Sequence, residues 1–266
     1  MGIITISRGS YSRGTKIAAK LAEKLGYECI SREILLEASK DFNVPQVKLT
    51  HAIEDAPSFL DRFKHGKKKY VTFIKKSFLE HIQRDNVLYH GLAGHYFTQG
   101  LPNVLKIRIH ANLEYRINVI MKRENVPAVQ AAQMIQKIDA ERSRWSTYLY
   151  GIDTESPELY DIILRIDCIG VDEAVEALCE IATRPCFQST PESMSNIKDM
   201  FLAESAYSAI INNFPEANVK CRDGIVMVSL ESSLSAEEKV SKKIQKLVKN
   251  IDGIKEVRTF VIPFDV

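Results

Sequence analysis

The sequence lacks the features that mark membrane, secreted and nucleic-acid-binding proteins. No apolar run approaches the roughly 18 residues that a membrane span needs, and the early polar residues are not those of a signal peptide. The five cysteines are scattered and form no Cys-x-x-Cys pair, which argues against a disulfide framework or a thiolate metal site. The formal net charge is only +2, too small to attract nucleic acid by its field alone. We therefore expect a cytoplasmic protein with no metal site of its own, no strong nucleic-acid affinity and no membrane contact.

The chain is long enough for two unequal domains. Residues 184–196 contain two prolines and three serines with no helical period, a composition typical of a linker. Before this segment, β-branched runs alternate with amphipathic stretches, which predicts a doubly wound α/β domain with a parallel sheet over residues 1–183. After it, residues 197–266 predict a small α+β domain in the order helix, strand, strand, helix, strand (αββαβ), with Arg-Asp-Gly at 222–224 as the hairpin turn.

A polar turn that joins the first predicted strand to the first predicted helix is the leading candidate for chemistry. A phosphate loop reads G-x-x-x-x-G-K-[ST], whereas here Gly9, four residues and Gly14 are followed by Thr15 and Lys16 in reversed order. Backbone N–H groups at such a turn can bind phosphate together with the helix N-terminus. The turn can equally be a polar connection in which Ser and Thr side chains cap the helix.

Several segments of the N-terminal region share their order and spacing with one known family. They are Ile-Ile-Thr-Ile-Ser-Arg with the turn after it, Lys16–Gly26, Ile30–Leu35, Val87–Gly94, Ile107–Arg116, Ile138–Arg142 and Tyr160–Leu164. Over about residues 1–182 the chain thereby resembles the bacterial cytidylate-kinase-like family, P-loop proteins related to nucleoside monophosphate kinases. The resemblance implies a P-loop kinase-like sheet, ATP with Mg²⁺ as the phosphoryl donor, a pocket for an acceptor nucleotide and a mobile lid.

The resemblance also implies which residues contact the donor. In that family the phosphates are held by N–H groups of the first turn, which here are those of Ser10, Tyr11, Ser12, Arg13, Gly14 and Thr15. The cation Lys16 follows the turn, where it either assists catalysis or is a solvated helix residue.

The lid and the acceptor site are assigned in the same way. The lid corresponds to Ala128–Trp145, in which Arg142 and Arg144 would stabilise charge on the transferring phosphoryl group and Asp139 would orient them. Asp139 and Arg142 are also spaced as an ordinary i,i+3 ion pair on a helix. For the acceptor, Arg32 would hold its phosphate or would simply open the next helix, and Gly91 would lie in the same pocket.

The sequence departs from the family at positions that matter for phosphate binding. Gly14 stands where the kinases carry the loop lysine, and Tyr11 and Arg13 occupy positions that are commonly glycine. Leu92 replaces an arginine that often follows Gly91. The residues thus leave three functions open. The first is a kinase that uses ATP·Mg²⁺ and CMP or dCMP, the second is a pseudokinase that senses a nucleotide without turnover and acts through its C-terminal module, and the third is a scaffold that uses the fold only for assembly.

Residues 197–266 resemble a BON domain. The resemblance rests on Asn218–Leu230, on a helix after it, and on Ile251–Val261, in which a glycine precedes the last strand. BON domains are linked with phospholipid surfaces or with protein and ligand contacts. Basic and acidic residues are nearly equal in number here, so no net positive field attracts this module to anionic lipid. We expect a regulatory role, or contact with a second copy or another protein.

Overall fold

A computed structural model describes residues 2–31, 60–61, 64–91 and 93–263, apart from the side chain of Leu234. The chain forms two compact units. The first contains the described residues among 2–31 and 84–190, and the second contains those among 60–83 and 191–263. The second unit therefore draws on two separate stretches of the sequence. Within the described part of the chain, no helix is both long enough and apolar enough to cross a membrane.

The first unit is built on a five-stranded parallel sheet. Its strands are β1 (Ile3–Arg8), β2 (Glu28–Ile30), β3 (Val87–His90), β4 (Val104–His110) and β5 (Ile162–Arg165). Its helices are α1 (Gly14–Leu25), α3 (Gly94–Phe97), α4 (Leu113–Glu124), α5 (Ala128–Tyr150) and α6 (Val171–Ala182). The strands lie in the order β2-β3-β1-β4-β5, and each neighbouring pair is parallel. The predicted parallel α/β sheet is confirmed.

One face of this sheet packs against α1 and α6, because the apolar residues of both helices recur on one side. Ile17 of α1 and Leu178 of α6 are buried in one cluster with Ile4 of β1 and Leu105 of β4. Helix α1 ends at Gly26, whose φ of 68° is the left-handed conformation that glycine adopts without steric cost. This packing fixes the direction in which α1 leaves the carboxyl end of β1.

The opposite face of the sheet carries polar and aromatic side chains beneath α3. Thr5 and Tyr89 occupy neighbouring strands on that face, in register with each other. A Cβ atom on Gly94 would lie 2.6 Å from the Tyr89 ring and 3.1 Å from the Thr5 Cβ. Glycine therefore allows α3 to lie directly on the sheet. Helices on both faces agree with the predicted doubly wound arrangement.

The second unit contains a three-stranded sheet and three helices among its described residues. Its elements are α2 (Gly66–Ile82), α7 (Pro191–Ile210), β6 (Asn218–Arg222), β7 (Ile225–Glu231), α8 (Glu237–Val248) and β8 (Glu256–Ile262). Strands β6 and β7 are antiparallel, while β7 and β8 are parallel. Asp223 and Gly224 both have positive φ, which suits a tight hairpin turn. The predicted order of helix, two strands, helix and strand is observed, and its likeness to a BON domain stays a prediction.

Residues 184–196 are more ordered than their composition indicates. Residues Pro185–Phe187 form a 3-10 turn, and α7 already begins at Pro191. Proline is well suited to the first position of a helix, where its missing N–H has no intrahelical partner to lose. The expectation that this segment lacks helix is therefore wrong for residues 191–196. The division of the chain into domains at this segment remains a prediction about which parts fold alone.

Helix α2 precedes β3 in the sequence but packs within the second unit. Tyr70, Ile74 and Phe78 of α2 are buried. The Lys75 ammonium lies 3.0 Å from the Glu204 carboxylate of α7. The second unit thus includes a helix whose residues lie, in the sequence, between β2 and β3 of the first unit.

Candidate functional site

The turn between β1 and α1 is closed by hydrogen bonds to its own backbone and to β4. The Gly9 N–H donates to the Ile109 carbonyl at 3.0 Å, and the Ser12 hydroxyl donates to the Gly9 carbonyl at 2.9 Å. Helix α1 begins at Gly14, where a Cβ atom would lie 2.8 Å from the Cβ of Arg8. Glycine is therefore required at position 14 for the helix to start this close to the end of β1.

Two residues of this turn adopt left-handed backbone conformations. Tyr11 has a φ of 56° and Arg13 a φ of 54°, while Ser12 between them does not have positive φ. Such alternation along a turn directs successive N–H groups to one side and forms a concavity that binds anions. Because neither residue is glycine, each conformation costs roughly 1–2 kcal/mol. The two positions where the sequence departs from glycine are thus positions where the backbone demands a glycine-like conformation.

The side chains of Tyr11 and Arg13 contact α4 and the residues packed around it. The Tyr11 ring packs against a small cluster of buried residues, with the Arg123 guanidinium 6.0 Å from its centroid. The Arg13 guanidinium lies 5.8 Å from the centroid of the Tyr115 ring. These contacts with α4 help to hold the turn in its strained conformation.

A charged network links the turn to α4 and α5. The Ser10 hydroxyl donates to Oδ1 of Asp139 at 2.6 Å, and Nη2 of Arg116 donates to the Ser10 hydroxyl at 2.7 Å. Arg116 also donates to Oδ2 of Asp139 in a short ion pair. Ser10 is 2% and Arg116 7% exposed, whereas the side chain of Asp139 is 41% exposed, so the network is buried on the side of the turn and open to water at the carboxylate. Charge-assisted hydrogen bonds of this kind are stronger than neutral ones and help to hold their partners in position.

Sequence reasoning assigned no role to Arg116, although it ends one of the segments that carry the family resemblance. Asn112 caps α4 by accepting a hydrogen bond from the Tyr115 N–H at 2.7 Å, and this cap places Arg116 in the first turn of the helix. The signal available in the sequence was an arginine one turn after a strong cap at the end of a buried strand.

The predicted lid residues separate into two groups. Asp139 and Arg142 both reach the β1–α1 turn: Asp139 through the network with Ser10, and Arg142 by donating from Nη1 to the Arg8 carbonyl at 3.2 Å. Arg144 is exposed and donates to the Ala140 carbonyl of its own helix at 3.4 Å. The Asp139 carboxylate contacts Arg116 and Ser10, so its partners differ from the arginines that it was expected to orient.

The remaining predicted residues differ in what the structure says of them. Thr15 and Lys16 are exposed in the first turn of α1. The Gly91 N–H donates to the Ile6 carbonyl at 3.1 Å, and a Cβ atom on Gly91 would lie 2.5 Å from the Tyr89 hydroxyl. Gly91 is therefore held at the carboxyl end of the sheet with no room for a side chain. Arg32 and Leu92 lie outside the described residues.

A second polar cluster lies on the sheet face opposite α1. Arg108 is 5% exposed in β4, donates to the Thr154 carbonyl at 2.8 Å and forms a short ion pair with Glu155. The His95 ring lies 5.0 Å from the Tyr160 ring, and burial together with the Arg108 charge lowers the pKa of His95 to about 4. His95 is therefore neutral at physiological pH.

His110, at the carboxyl end of β4, lies beside the turn, since a Cβ on Gly9 would approach its Nδ1 to 3.8 Å. Burial and the Arg108 charge lower the pKa of His110. Arg8, Arg108 and Arg116 lie near the carboxyl ends of β1 and β4, and carboxylates of Glu155 and Asp139 pair with the last two. In an open α/β sheet this is the edge where ligands bind.

Comparison with known proteins agrees with this arrangement. A sequence model described as the cytidylate kinase-like family matches residues 3–167. The chain is 32% identical over 165 residues to a cytidylate kinase of Methanosarcina acetivorans, covering 60% of this chain and 85% of the relative. It is 24% identical over 181 residues to a cytidylate kinase of Ignicoccus hospitalis, covering 67% of this chain and 97% of the relative.

A solved structure supports the same fold. An uncharacterized protein from Eubacterium ventriosum superposes with a TM-score of 0.53 at 21% identity, covering 69% of this chain and 100% of that chain. The residues matched by the family, 3–167, contain the whole five-stranded sheet, the β1–α1 turn and α5. Because the family model matches more than half of its length, the chain belongs to the cytidylate kinase-like family.

Proposed function

We propose that the first unit is a nucleoside monophosphate kinase that transfers a phosphoryl group from ATP·Mg²⁺ to CMP or dCMP. The observation that carries the proposal is the network of Ser10, Arg116 and Asp139, which ties α5 to the phosphate turn. Membership of the family and the similarity to archaeal cytidylate kinases support the choice of acceptor. The net reaction converts ATP and the monophosphate into ADP and the diphosphate.

The turn fits a chain of phosphates in three respects. The alternating backbone at Tyr11 and Arg13 forms an anion-binding concavity, α1 presents its N-terminus there, and no side chain projects from Gly14. Mg²⁺ would take most of its ligands from phosphate oxygens and water, and the exposed Thr15 hydroxyl is the protein ligand that the turn offers. ATP supplies the phosphoryl group that is transferred. The residues of the chain bind and orient the phosphates and neutralise their charge.

The positions of Arg116, Arg142 and Arg144 indicate different roles for the three side chains. Arg116 is buried and fixed by Ser10 and Asp139, so it acts as a positioning residue that sets the distance between α5 and the turn. Arg142 lies at the carbonyl of Arg8, at the end of β1, where its charge can stabilise a phosphoryl group during transfer. Arg144 is exposed on the same helix and contributes less.

A matched pair of variants tests this proposal. In a coupled assay each nucleoside monophosphate is offered in turn as the acceptor. ATP should be turned over when CMP or dCMP is present. Arg142→Gln should lower kcat by at least about 100-fold, as removal of a transition-state charge contact does, whereas Arg144→Gln makes the same charge change on the same helix and should lower kcat less than about threefold. No turnover with any monophosphate, or equal losses in the two variants, would contradict the proposal.

A second function remains open because a specific feature favours it. Gly14 stands where the kinases carry the loop lysine, and Lys16 is exposed in the first turn of α1. A protein with these features can bind a nucleotide without turning it over and act as a pseudokinase. ATP that raises the thermal stability of the protein without phosphoryl transfer would support this function.

For the C-terminal part we propose a BON-like module with a regulatory or assembly role. The observed αββαβ order and the three-stranded sheet support it. The near balance of charge in this region disfavours attraction to anionic lipid. Co-sedimentation of the full-length protein with anionic vesicles, lost in neutral vesicles, would contradict this assignment.

A further inference from the structure

Strand β8 leaves one of its edges without a partner among the described residues. It is seven residues long, contains neither proline nor glycine, and pairs only with β7. The Ile262 carbonyl accepts from the Ser232 N–H at 3.1 Å, on the side of β7. Since backbone groups alternate in direction along a strand, Val257, Thr259 and Val261 direct their N–H and C=O groups to the open edge. An open edge of this kind is a template for pairing with another strand.

The side chains of β8 do little to protect that edge. Phe260 and Ile262 are 49% and 53% exposed, although both are large and apolar. The charged pair on the strand, Glu256 and Arg258, is internally neutral because Nε of Arg258 donates to the Glu256 carboxylate at 2.8 Å. Natural sheets commonly block an edge with lysine, proline or a bulge, and none of these lies within β8.

We propose that β8 pairs in antiparallel fashion with β8 of a second copy of this chain, about a two-fold axis at Thr259. The outward backbone groups then form three hydrogen-bonded residue pairs: Thr259 with Thr259 of the partner subunit, and Val257 with Val261 of the partner subunit, twice. The two three-stranded sheets become one sheet of six strands. This interface is independent of the catalytic proposal.

The sequence of β8 selects this register. With the axis at Thr259, all seven residues pair, and each Arg258 lies directly opposite the exposed Phe260 of the partner subunit, a favourable cation–π neighbour. Moving the axis to Arg258 would oppose two guanidinium groups, which is destabilising. Moving it to Phe260 would pair Val257 with Pro263 of the partner subunit, which has no N–H to donate.

The central residue supplies a further reason. The hydroxyl Oγ1 of Thr259 is buried and has no hydrogen-bond partner among the described residues. Two threonines directly opposite in an antiparallel pair are a favourable cross-strand combination and can hydrogen-bond to each other. Because only one short strand from each copy takes part, the interface is at the small end of specific interfaces, and we expect dissociation in the micromolar range.

A disulfide at the axis tests the register. A Thr259→Cys variant, with the exposed Cys29, Cys168 and Cys186 replaced by serine, should form a disulfide-linked dimer under mild oxidation. In a hydrogen-bonded antiparallel pair the Cα atoms lie about 5.5 Å apart, within the span of a disulfide. The control is Lys220→Cys in the same background, on the exposed face of β6. Crosslinking of Thr259→Cys no faster than that of the control would overturn the proposal.

A second variant tests the association without chemistry. Val261→Pro removes an N–H that points to the open edge and is not used by β7, so the fold should persist, as thermal melting will show. Sedimentation equilibrium of the full-length protein across the micromolar range should show a dimer, with at least a tenfold weaker association in Val261→Pro. A monomer at all concentrations, or a dimer that the variant leaves unchanged, would refute the pairing.

Discussion

Replacing Lys75 by methionine should destabilise the second unit, and the loss should grow as pH rises. Lys75 and Glu204 form an ion pair at 3.0 Å between α2 and α7, with side chains 30% and 12% exposed. Burial raises the pKa of Glu204, although the Lys75 charge and a hydrogen bond from Thr72 partly lower it. Without Lys75, the carboxylate would remain desolvated with no nearby cation.

The expected magnitude follows from the position of the pair. Removing one partner of a fully buried pair costs about 3–5 kcal/mol. Since Lys75 is partly hydrated and Glu204 can take up a proton, the expected loss is smaller, about 2 kcal/mol at pH 8. The sign with pH is fixed by linkage: a carboxyl whose pKa is raised in the folded state binds more protons there than when unfolded. Stability therefore falls as pH rises from the unfolded pKa, about 4.3, through the folded one.

The assay is amide hydrogen exchange in α2 and α7 at several pH values, which reports opening of the second unit separately from the first. Lys68→Met is the matched control on the same helix, because its pair with Glu216 is exposed and should contribute little to stability. The double variant Lys75→Met, Glu204→Gln should recover most of the loss, since no charge is then buried. A loss in Lys75→Met that is equal at pH 5 and pH 8, or no larger than the control's, would refute this reasoning.

Three further changes test the first unit. Gly14→Ala should destabilise by about 1–3 kcal/mol, because its Cβ would lie 2.8 Å from a rigid neighbour, whereas Gly9→Ala, with its nearest atom at 3.8 Å, should cost less in the same urea denaturation. Arg13→Gly should melt at a higher temperature than Arg13→Ala, by about 0.5–1 kcal/mol, because both variants lose the contact with Tyr115 and only glycine relieves the left-handed conformation at φ 54°; equal melting temperatures would contradict the strain. Because the pKa of His95 is lowered to about 4 in the folded state, the free energy of unfolding should rise between pH 4 and about 6.5, by about 3 kcal/mol at most. NMR of the His95 ring should show a neutral imidazole at pH 6. His95→Gln should abolish this pH dependence of stability.

The first strand, turn and helix were predictable because their signals are local. A buried β-branched strand, a glycine at the start of α1 and an apolar stripe that ends at Gly26 all lie within residues 3–26. The alternation of strand and helix patterns along the chain predicted the parallel sheet. The start of α7 was missed because Pro191 resembles a linker residue and the helix has no single apolar face.

The separation of Arg142 from Arg144 also follows from helical geometry. Residues two apart on a helix point in nearly opposite directions, while Asp139 and Arg142, three apart, share a face. Which of the two faces meets the turn is decided by the packing of α5, and the structure places Asp139 and Arg142 there. The family resemblance implied the same role for both arginines, and the fold determined that Arg142 is the one that approaches the β1–α1 turn.

The sequence by itself determined the family, the parallel α/β architecture and the place of the turn between β1 and α1, because these depend on short-range period and on residues adjacent in the chain. Only the tertiary structure decided that Ser10 meets Arg116, 106 residues away, and Asp139, 129 residues away, and that α2 packs with α7. Contacts at such separations depend on how helices pack around the ends of strands. They leave no periodic signal in the sequence. The sequence does not distinguish a buried, paired arginine from a solvated one, because the carboxylate and the hydroxyl that pair with it are brought near only by folding.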